Sequence, residues 1–347
     1  MLAPMYLGYN RGMQAAGDTH LQTAHWQHDY LTADQTDFAP FITAYGAYSH
    51  GRYGTPPVLG QTYAESRALY GQSIVRPTWL LETNYWGSYG ATRAQIRYFH
   101  WAAALSTIGG VTFGFNPLWF FATSADGTTR ASGSGGITTA WIPSTTYNLN
   151  EYASKGGNWY RATTGGRSGS AGPSGTGSGI ADGTVTWAYA GTGNWSSLLN
   201  EPGVLDFQQM GSILDGLPRH QLIPSGLGGL QTLVTAGTGT YATWSDHNFE
   251  TGGMDWVTSA AAPDGTLLVA YVPDGHTGPL TVAMSALSGA VRARWYDPAS
   301  GNYVDDSAGA GYPLSNAGTH AFTVLGVNSA GASDWALMLD IASIRDH

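Results

Sequence analysis

The stretch RPTWLLETNYWG, residues 76–87, combines a predicted strand, a lone charge and a turn rich in aromatic residues. The four uncharged residues from Thr78 to Leu81 predict a buried β-strand. Glu82 follows directly, in a chain of which only 11% of the residues are charged. Three interpretations of this carboxylate are open: a solvated strand end, a structural ion pair, or a catalytic group at the mouth of a sheet. Arg76 lies at the other end of the strand, too far along it to pair with Glu82.

The composition of the whole chain favours a neutral, hydroxyl-rich partner. With 347 residues, 49 glycines and 12% aromatic residues, the chain suggests two or three domains rich in β structure and long loops. The net charge of −9 and the single lysine, Lys155, argue against nucleic acid, because phosphate contacts need clustered cations. Glycans fit such a surface better. The absence of cysteine excludes disulfides and thiolate metal sites.

Residues 1–125 alternate strand-like and helical segments, which predicts parallel βαβ units. The helix is clearest in RAQIRYFHWAAALS, residues 93–106. The predicted strands are MLAPMYLGY, HLQTAHW, FITAYGAYSH, PTWLLETNYW and GGVTFGFNPLW. Residues 101–122 carry no charge, but Gly109, Gly110, Asn116 and Pro117 interrupt them. They are therefore interpreted as a helix end, a turn and a strand, with no membrane insertion.

Two further zones follow. Residues 126–194 are rich in Gly, Ser and Thr and contain short alternating strands, which predicts a small inserted β module. Residues 194–224 return to helical patterning, and residues 226–347 alternate strands with Asp-Gly and Ser-Gly turns, which predicts a β-sandwich. The expected domains are a barrel unit over 1–125 and 195–225, the insert over 126–194, and the sandwich over 226–347.

These motifs together resemble the apiosidase-like glycoside hydrolases, (β/α)8-barrel enzymes followed by a collagen-binding-type β-sandwich. RPTWLLETNYWG is similar to the strand that carries the nucleophile of that family. LQTAHWQHD, FITAYGAYSHG and VTFGFNPLW resemble its fifth, sixth and eighth strands, and WSSLLNEPGVLDFQQMGSIL its closing helix. The insert resembles small β repeats of phage tail proteins. The resemblance implies a fold of the α/β plus all-β class: a TIM-type (β/α) barrel, an inserted β module and a C-terminal β-sandwich.

The resemblance implies that Glu82 is the catalytic nucleophile, but it also leaves a gap. MLAPMYLGYN resembles a third barrel strand, while strands one, two and four have no counterpart, so the barrel is expected to be incomplete at its N-terminus. The family's general acid/base, an Asp after strand four, aligns with no residue here. Either the chain is incomplete, another chain completes the barrel, or the chemistry has been lost. Asp29 is the best internal substitute, ahead of Asp34, Asp37 and Glu65; for Asp37 a helix-capping role is the alternative.

Substrate-binding side chains are expected where the predicted strands end, since barrel enzymes place their chemistry there. Packing at the core or rim is the alternative for each of them. The predicted set is His25, Trp26, Tyr48, His50, Tyr85, Asn116 and Trp119. His25, His28 and His50 also suggest a metal site, but a third ligand cannot be placed from the sequence. Hydrogen bonding to sugar hydroxyls is therefore the preferred role, and no metal or cofactor is expected. His100 is expected to be a packed core histidine.

The leading hypothesis is a glycoside-hydrolase-like protein that acts on or binds a cell-surface or plant-type glycan, with retaining hydrolysis through Glu82 if it is active. The alternative is a non-catalytic attachment or structural protein, such as a phage tail component, that binds surface glycans. The sequence is compatible with an enzyme and with a non-catalytic protein. An extracellular or virion location is expected, and residues 1–25 show no signal peptide. Open sheet edges predict contacts with other copies or other chains of an assembly.

Overall fold

The computed structural model describes residues 2–25, 42–49, 60–106, 109–118, 140–241, 255–305 and 313–341. The fold over these residues is mixed α/β, with many short strands and few helices. The described α-helices are Leu2–Ala15 (α1), Gly60–Tyr70 (α2), Arg93–Ala104 (α3) and Pro202–Asp215 (α4).

Helix α1 contradicts one prediction. MLAPMYLGYN was expected to form a barrel strand, and instead residues 2–10 lie within a helix that continues to Ala15. The physical reason is visible in the spacing: Met5, Tyr9 and Met13 recur every fourth residue, which is the helical interval. Pro4 falls in the first turn, where its missing N–H costs no intrahelical hydrogen bond.

A parallel sheet forms from the region that the sequence predicted as βαβ units. Its three strands are ordered β1-β2-β3 and run over Tyr45–Ser49 (β1), Thr78–Thr83 (β2) and Gly110–Val111 (β3). Helix α2 connects β1 to β2, and α3 connects β2 to β3. All three strands therefore end at the same edge of the sheet. The prediction of strands in FITAYGAYSH and PTWLLETNYW and of a helix after residue 92 is confirmed; β3 is shorter than GGVTFGFNPLW suggested.

Helix α3 begins where the sequence marks it. Thr92 caps its N-terminus, and the side chains of Thr92 and Gln95 form a reciprocal capping box. Nine of its residues are buried, which explains the dense aromatic and alanine content of RYFHWAAA. His100 is buried among them as predicted, with Nδ1 2.7 Å from the Ile96 carbonyl oxygen.

Residues 146–192 form a small group of antiparallel strands. Two sheets, ordered β4-β7 and β5-β6-β9-β8, are antiparallel. Its strands are Thr146–Tyr147 (β4), Tyr152–Lys155 (β5), Asn158–Thr164 (β6), Gly166–Arg167 (β7), Ile180–Asp182 (β8) and Val185–Thr192 (β9).

The C-terminal part consists of a six-stranded sheet, β10-β12-β13-β18-β15-β16, and a three-stranded sheet, β11-β14-β17. Apolar side chains from both sheets form one buried cluster between them, which includes Trp295 and Trp335. The two sheets therefore share one apolar core. Its strands are Ile223–Pro224 (β10), Val234–Ala236 (β11), Thr258–Ala261 (β12), Leu267–Val272 (β13), Leu280–Ala283 (β14), Val291–Tyr296 (β15), Tyr303–Asp305 (β16), Thr319–Phe322 (β17) and Trp335–Ile341 (β18).

A second buried cluster joins the parts of the chain to each other. It contains residues of α3, α4, the insert and the face of the six-stranded sheet that lies opposite the sandwich core. The Trp101 ring on α3 stacks on the Tyr271 ring of β13, with centroids 5.4 Å apart and planes 9° apart. Such stacking of buried rings contributes about 0.5–1.5 kcal/mol beyond the area that it buries.

Buried charges reinforce this junction. The Arg97 guanidinium on α3 donates to both carboxylate oxygens of Asp334 at 2.7 and 2.6 Å, and to Asp206 of α4 at 2.9 Å. Arg93 also donates to Asp206, and the Tyr271 hydroxyl donates to Asp334 at 2.6 Å. Burial alone would lower the pKa of Arg97, but the hydrogen bonds and charge of Asp334, with that of Asp206, raise it above its ordinary value.

A separate polar chain ties the insert to the end of β2. The Trp86 indole donates to the Tyr152 hydroxyl at 2.9 Å, and that hydroxyl donates to Glu201 at 2.6 Å. Arg161 completes the chain by donating to Glu201 at 2.9 Å. Gly203 allows this contact, because a Cβ there would lie 2.5 Å from the Trp86 ring.

Within the described residues, no helix has the length and apolar character needed to cross a membrane. Helix α3 ends at Ala104, early in the uncharged stretch 101–122.

Candidate functional site

Glu82 is turned to its face of the sheet by a β-bulge. Ala47 of β1 pairs with Leu80 of β2, but the next residue, Tyr48, pairs with Glu82, so Leu81 is the extra residue. Leu80 packs toward the helices, in a cluster with Leu69 of α2. Strict alternation would place Glu82 on that same face. The bulge instead puts Glu82 on the face of Tyr48, at the carboxyl end of the sheet.

Both oxygens of the Glu82 carboxylate have a partner. The Tyr85 hydroxyl donates to Oε1 at 2.5 Å, and Nε2 of His25 lies 3.1 Å from Oε2. The side chain of Glu82 is 19% exposed, while that of His25 is 47% exposed. The carboxylate is therefore held in one orientation and is still partly exposed to solvent.

His25 also contacts the end of the neighbouring strand. Its ring lies 4.5 Å from the ring of Tyr48, centroid to centroid, with the planes inclined at 59°. Segment 20–25 is fixed beside the sheet because the Gln22 carbonyl accepts from the backbone of Thr43 and Ala44. The structure thus brings together four of the predicted site residues: His25, Tyr48, Glu82 and Tyr85.

Two glycines permit this close arrangement. A Cβ at Gly46 would lie 2.4 Å from a Leu81 methyl and 3.1 Å from the Ala24 carbonyl oxygen. A Cβ at Gly114 would lie 2.1 Å from the Tyr85 ring. Gly114 therefore lets the Tyr85 ring lie flat against the loop after β3, which aims its hydroxyl at Glu82. Sequence reasoning missed both glycines, although each stands inside a predicted strand, where glycine often marks a close approach of backbone.

The loop that follows β2 is joined to the loop that follows β3. The Trp86 N–H donates to the Gly114 carbonyl at 3.0 Å, and the Asn116 N–H donates to the Trp86 carbonyl at 2.8 Å. Asn116 is followed by a cis peptide bond to Pro117. Its Oδ1 is buried and has no hydrogen-bond partner within the described residues.

Trp86 does not line the site. It follows Tyr85 directly in the sequence, but the Trp86 side chain is completely buried in the junction with the insert. Its ring lies 5.9 Å from the Arg161 guanidinium. Arg76 likewise contacts Tyr45, with the guanidinium 5.3 Å from the ring centroid, as its distance from Glu82 along the strand implied.

Glu65 has a structural position. It is fully buried on α2, where its carboxylate accepts from the Tyr48 N–H at 2.8 Å and from the Ser49 hydroxyl at 2.5 Å. It therefore fixes the end of β1 from the helix side of the sheet. This position holds the backbone that carries Tyr48, and it is a role that the sequence did not indicate.

Several predicted residues lie outside the described residues. These are Trp26, His28, Asp29, Asp34, Asp37, His50 and Trp119. In the described part of the chain, no group of three or more His, Cys, Asp or Glu side chains is placed to hold a metal ion.

Comparisons with known proteins agree with this architecture at a coarse level. Residues 250–340 match a family model described as "Putative collagen-binding domain of a collagenase". That range covers strands β12 to β17 and nearly all of β18. No curated protein matches the sequence.

Two solved structures align along nearly the whole chain. One is described as "Glycoside hydrolase", with a TM-score of 0.60, 16% identity, and coverage of 97% of this chain and 61% of that one. The other is a glycoside hydrolase family 5 structure from Bacteroides vulgatus, with a TM-score of 0.61, 15% identity, and coverage of 96% and 58%. The chain thus spans about three fifths of the length of these structures. At this identity the likeness concerns the fold: the described mixed α/β architecture is similar to that of glycoside hydrolases.

Proposed function

We propose that the chain forms the nucleophile side of a glycan-hydrolysing cleft in a TIM-type (β/α) barrel, with Glu82 as the nucleophile of retaining hydrolysis. One observation carries this proposal: a bulge turns Glu82 to the carboxyl end of a parallel sheet, and Tyr85 and His25 orient its two oxygens. Barrel enzymes place their chemistry at that end. The likeness to glycoside hydrolase structures supports a protein that acts on or binds a glycan.

In the proposed reaction, a Glu82 oxygen attacks the anomeric carbon of the sugar as the bond to the leaving oxygen breaks. Water then hydrolyses the glycosyl–enzyme ester and restores the carboxylate. Tyr85 and His25 keep the carboxylate in one orientation before the attack, which removes a rotational cost from the barrier. The aromatic edge formed by His25 and Tyr48 would contact the sugar ring.

A retaining enzyme also needs a second carboxyl group about 5–5.5 Å from the nucleophile, to protonate the leaving group. Asp29 remains the candidate within this chain. We propose three domains: the barrel unit over 1–125 and 195–225, the insert over 126–194, and the sandwich over 226–347. The insert and the sandwich would hold the protein on its substrate surface.

The decisive experiment measures hydrolysis of dinitrophenyl β-glycosides of xylose, glucose, galactose and arabinose. Dinitrophenolate leaves without protonation, so the rate reports on the nucleophile even where the acid is weak or absent. We expect Glu82→Gln to lower kcat/KM about a thousandfold or more. Glu151→Gln is the matched control, because Glu151 bonds to Asn148 within the insert. Equal rates for wild type and Glu82→Gln would remove Glu82 from the mechanism.

Trapping tests the retaining mechanism separately. A fluorinated, activated glycoside slows breakdown of the covalent ester, so mass spectrometry should find one added sugar on the peptide that contains Glu82. An enzyme that turns over the substrate but forms no such adduct would be inverting, and Glu82 would then have another role.

A second candidate is a non-catalytic attachment protein, for example in a phage tail or on another virion, that binds surface glycans in the same cleft. It is favoured because the described partners of the Glu82 carboxylate are a tyrosine and a histidine rather than a second carboxyl group. Glu65, another carboxylate near this end of the sheet, is buried and holds the backbone of β1. In that case wild type would hydrolyse none of the activated glycosides yet would bind oligosaccharides, and Tyr48→Ala would weaken binding while Glu82→Gln would not abolish it.

A further inference from the structure

A pocket lies beside helix α2, where that helix meets the chain between β10 and β12. Its volume of about 460 Å³ falls within the range of small-molecule sites. Arg67 lines it from α2, and Ser225 and Thr232 line it from the segment between β10 and β11. Tyr241 and Trp256 add two aromatic rings. We name it the α2 pocket.

Arg67 gives the α2 pocket its only charge. Among the described residues that line the pocket none is acidic, and serine and threonine predominate. Arg67 is half-buried, and its side chain forms no hydrogen bond, ion pair or ring contact within the described ranges. Every other buried or half-buried arginine in those ranges contacts a carboxylate or an aromatic ring. No nitrogen of Arg67 belongs to the buried polar atoms that lack a partner, so the guanidinium is open to a ligand.

An open point beside Gly226 lies close to two of these donors. A Cβ placed on Gly226 would be 3.6 Å from Thr232 Oγ1 and 3.9 Å from Arg67 Nη2, and no other described atom outside the adjacent residues lies within 4 Å of it. A ligand oxygen near this point is therefore within reach of the guanidinium and the hydroxyl. The Ser225 hydroxyl accepts from the Leu233 N–H at 2.9 Å, which leaves its own hydrogen free to donate.

A carboxylate is the group that matches these donors. Its two oxygens fit the planar fork of a guanidinium, and its single negative charge balances that of Arg67. A neutral hydroxyl would leave this charge uncompensated, and a cation would be repelled. Phosphate carries additional negative charge that the α2 pocket does not neutralise.

An aromatic wall stands beside the donors. The Tyr241 side chain is 41% exposed, and its ring packs edge-on against Trp256, with centroids 4.9 Å apart. Trp256 in turn stacks on the fully buried ring of Tyr63, with centroids 5.8 Å apart. The two inner rings support Tyr241, which still presents apolar surface to the body of a ligand.

We propose that the α2 pocket binds a ligand through a carboxylate, with the carboxylate on Arg67, a further hydrogen bond from Thr232 or Ser225, and the body of the ligand against Tyr241. Acidic sugars and simple organic acids share this group. In a protein that acts on or binds a glycan, a uronic acid residue would supply it. That choice of source rests on the proposed function, whereas the carboxylate site itself does not depend on hydrolysis at Glu82.

The test is a titration of the full chain with methyl β-glucuronide, methyl β-glucoside, acetate and inorganic phosphate, followed by calorimetry and by ligand-observed NMR. The two glycosides differ only in a carboxylate that replaces a CH₂OH group, so their comparison needs no variant. We expect saturable, millimolar binding of the glucuronide and binding of the glucoside that is weaker by about tenfold or more, which corresponds to about 1.4 kcal/mol. Arg67→Gln should weaken binding of the glucuronide to a similar extent, and added sodium chloride should weaken it in wild type.

Two controls keep the outcomes distinct. Arg167→Gln makes the same chemical change at an exposed arginine on β7, and it should leave binding unchanged. Glu82→Gln should also leave it unchanged, so that failure of the hydrolytic proposal would not affect this one. Binding of acetate without the glucuronide would retain the carboxylate site and exclude an acidic sugar. The proposal is overturned if neither carboxylate binds wild type, if the glucoside or phosphate binds as tightly as the carboxylates, or if a folded Arg67→Gln variant binds as well as wild type.

Discussion

Replacing Arg97 by methionine tests whether the sandwich and the βα part of the chain form one cooperative unit. Arg97 is 2% exposed, and it bridges Asp334 before β18 and Asp206 on α4. Methionine has a similar length and fills the space, so the loss isolates the charge and its hydrogen bonds. The two buried carboxylates would remain, with Arg93 still beside Asp206 and only neutral donors beside Asp334.

The expected loss of unfolding free energy is about 3–5 kcal/mol, the range for removing one partner of a buried ion pair. This is a large share of the total of about 5–15 kcal/mol that is typical of native proteins. The assay is urea denaturation followed both by tryptophan fluorescence and by far-ultraviolet circular dichroism. We expect coincident transitions in wild type, and separate ones in Arg97→Met because the charges that join the two parts are lost.

The matched control is Arg219→Met, which removes an exposed ion pair to Asp215 with side chains 51% and 69% exposed. It should cost less than about 1 kcal/mol. The double variant Arg97→Met, Asp334→Asn should be less destabilised than the sum of its parts, since the second change removes the charge that the first left uncompensated. A loss below about 1 kcal/mol in Arg97→Met, or strict additivity in the double variant, would refute this account of the junction.

Three further changes follow from the same contacts. Burial lowers the pKa of His100, so below pH about 6.5 the unfolded chain binds a proton that the folded chain does not bind. The free energy of unfolding should therefore decrease as the pH is lowered, by up to about 1.4 kcal/mol per pH unit. Urea titrations across this range should show a smaller decrease in His100→Gln. Gly114→Ala should push the Tyr85 ring from its place and lower Glu82-dependent hydrolysis about tenfold, measured with the activated glycosides at unchanged fold by circular dichroism. Glu201→Gln should weaken the bond to Arg161 and cost about 1–3 kcal/mol, measured as faster proteolysis of the insert; equal cleavage rates would contradict it.

Local patterns predicted much of the architecture. Strand β2, helix α3 and the C-terminal strands carry strong hydrophobic periodicity, which reflects burial against a regular neighbour and can be read from sequence. Glycine-rich turns between short alternating strands are the pattern that predicts the insert. The strand predicted for the N-terminal segment is wrong because a short apolar run fits both periods, and the four-residue spacing of Met5, Tyr9 and Met13 matches the helix that forms.

Long-range contacts could not be predicted in this way. Arg97 and Asp334 are 237 positions apart, and neither stands in a motif that names its partner. The same holds for Trp86 and Tyr152, which are 66 positions apart. Trp86 follows Tyr85 directly, and nothing in the sequence separates the positions of the two rings. The two neighbouring side chains have different partners: the Tyr85 hydroxyl donates to the Glu82 carboxylate, and the Trp86 indole donates to Tyr152 of the insert.

The orientation of Glu82 depends on a β-bulge, which is neither a local sequence pattern nor a contact between distant parts of the chain. Its residue type and its place after a buried strand made it the candidate, but alternation along β2 would have turned it toward the helices with Leu80. There a carboxylate would lie among apolar side chains such as Leu69, at a cost that only a buried partner could offset. The bulge at Leu81 changes the alternation by one residue and places Glu82 beside Tyr48 and within reach of His25. A bulge has no fixed sequence signature. The sequence therefore identifies Glu82 as a candidate, but its orientation is determined by the paired backbone of β1 and β2.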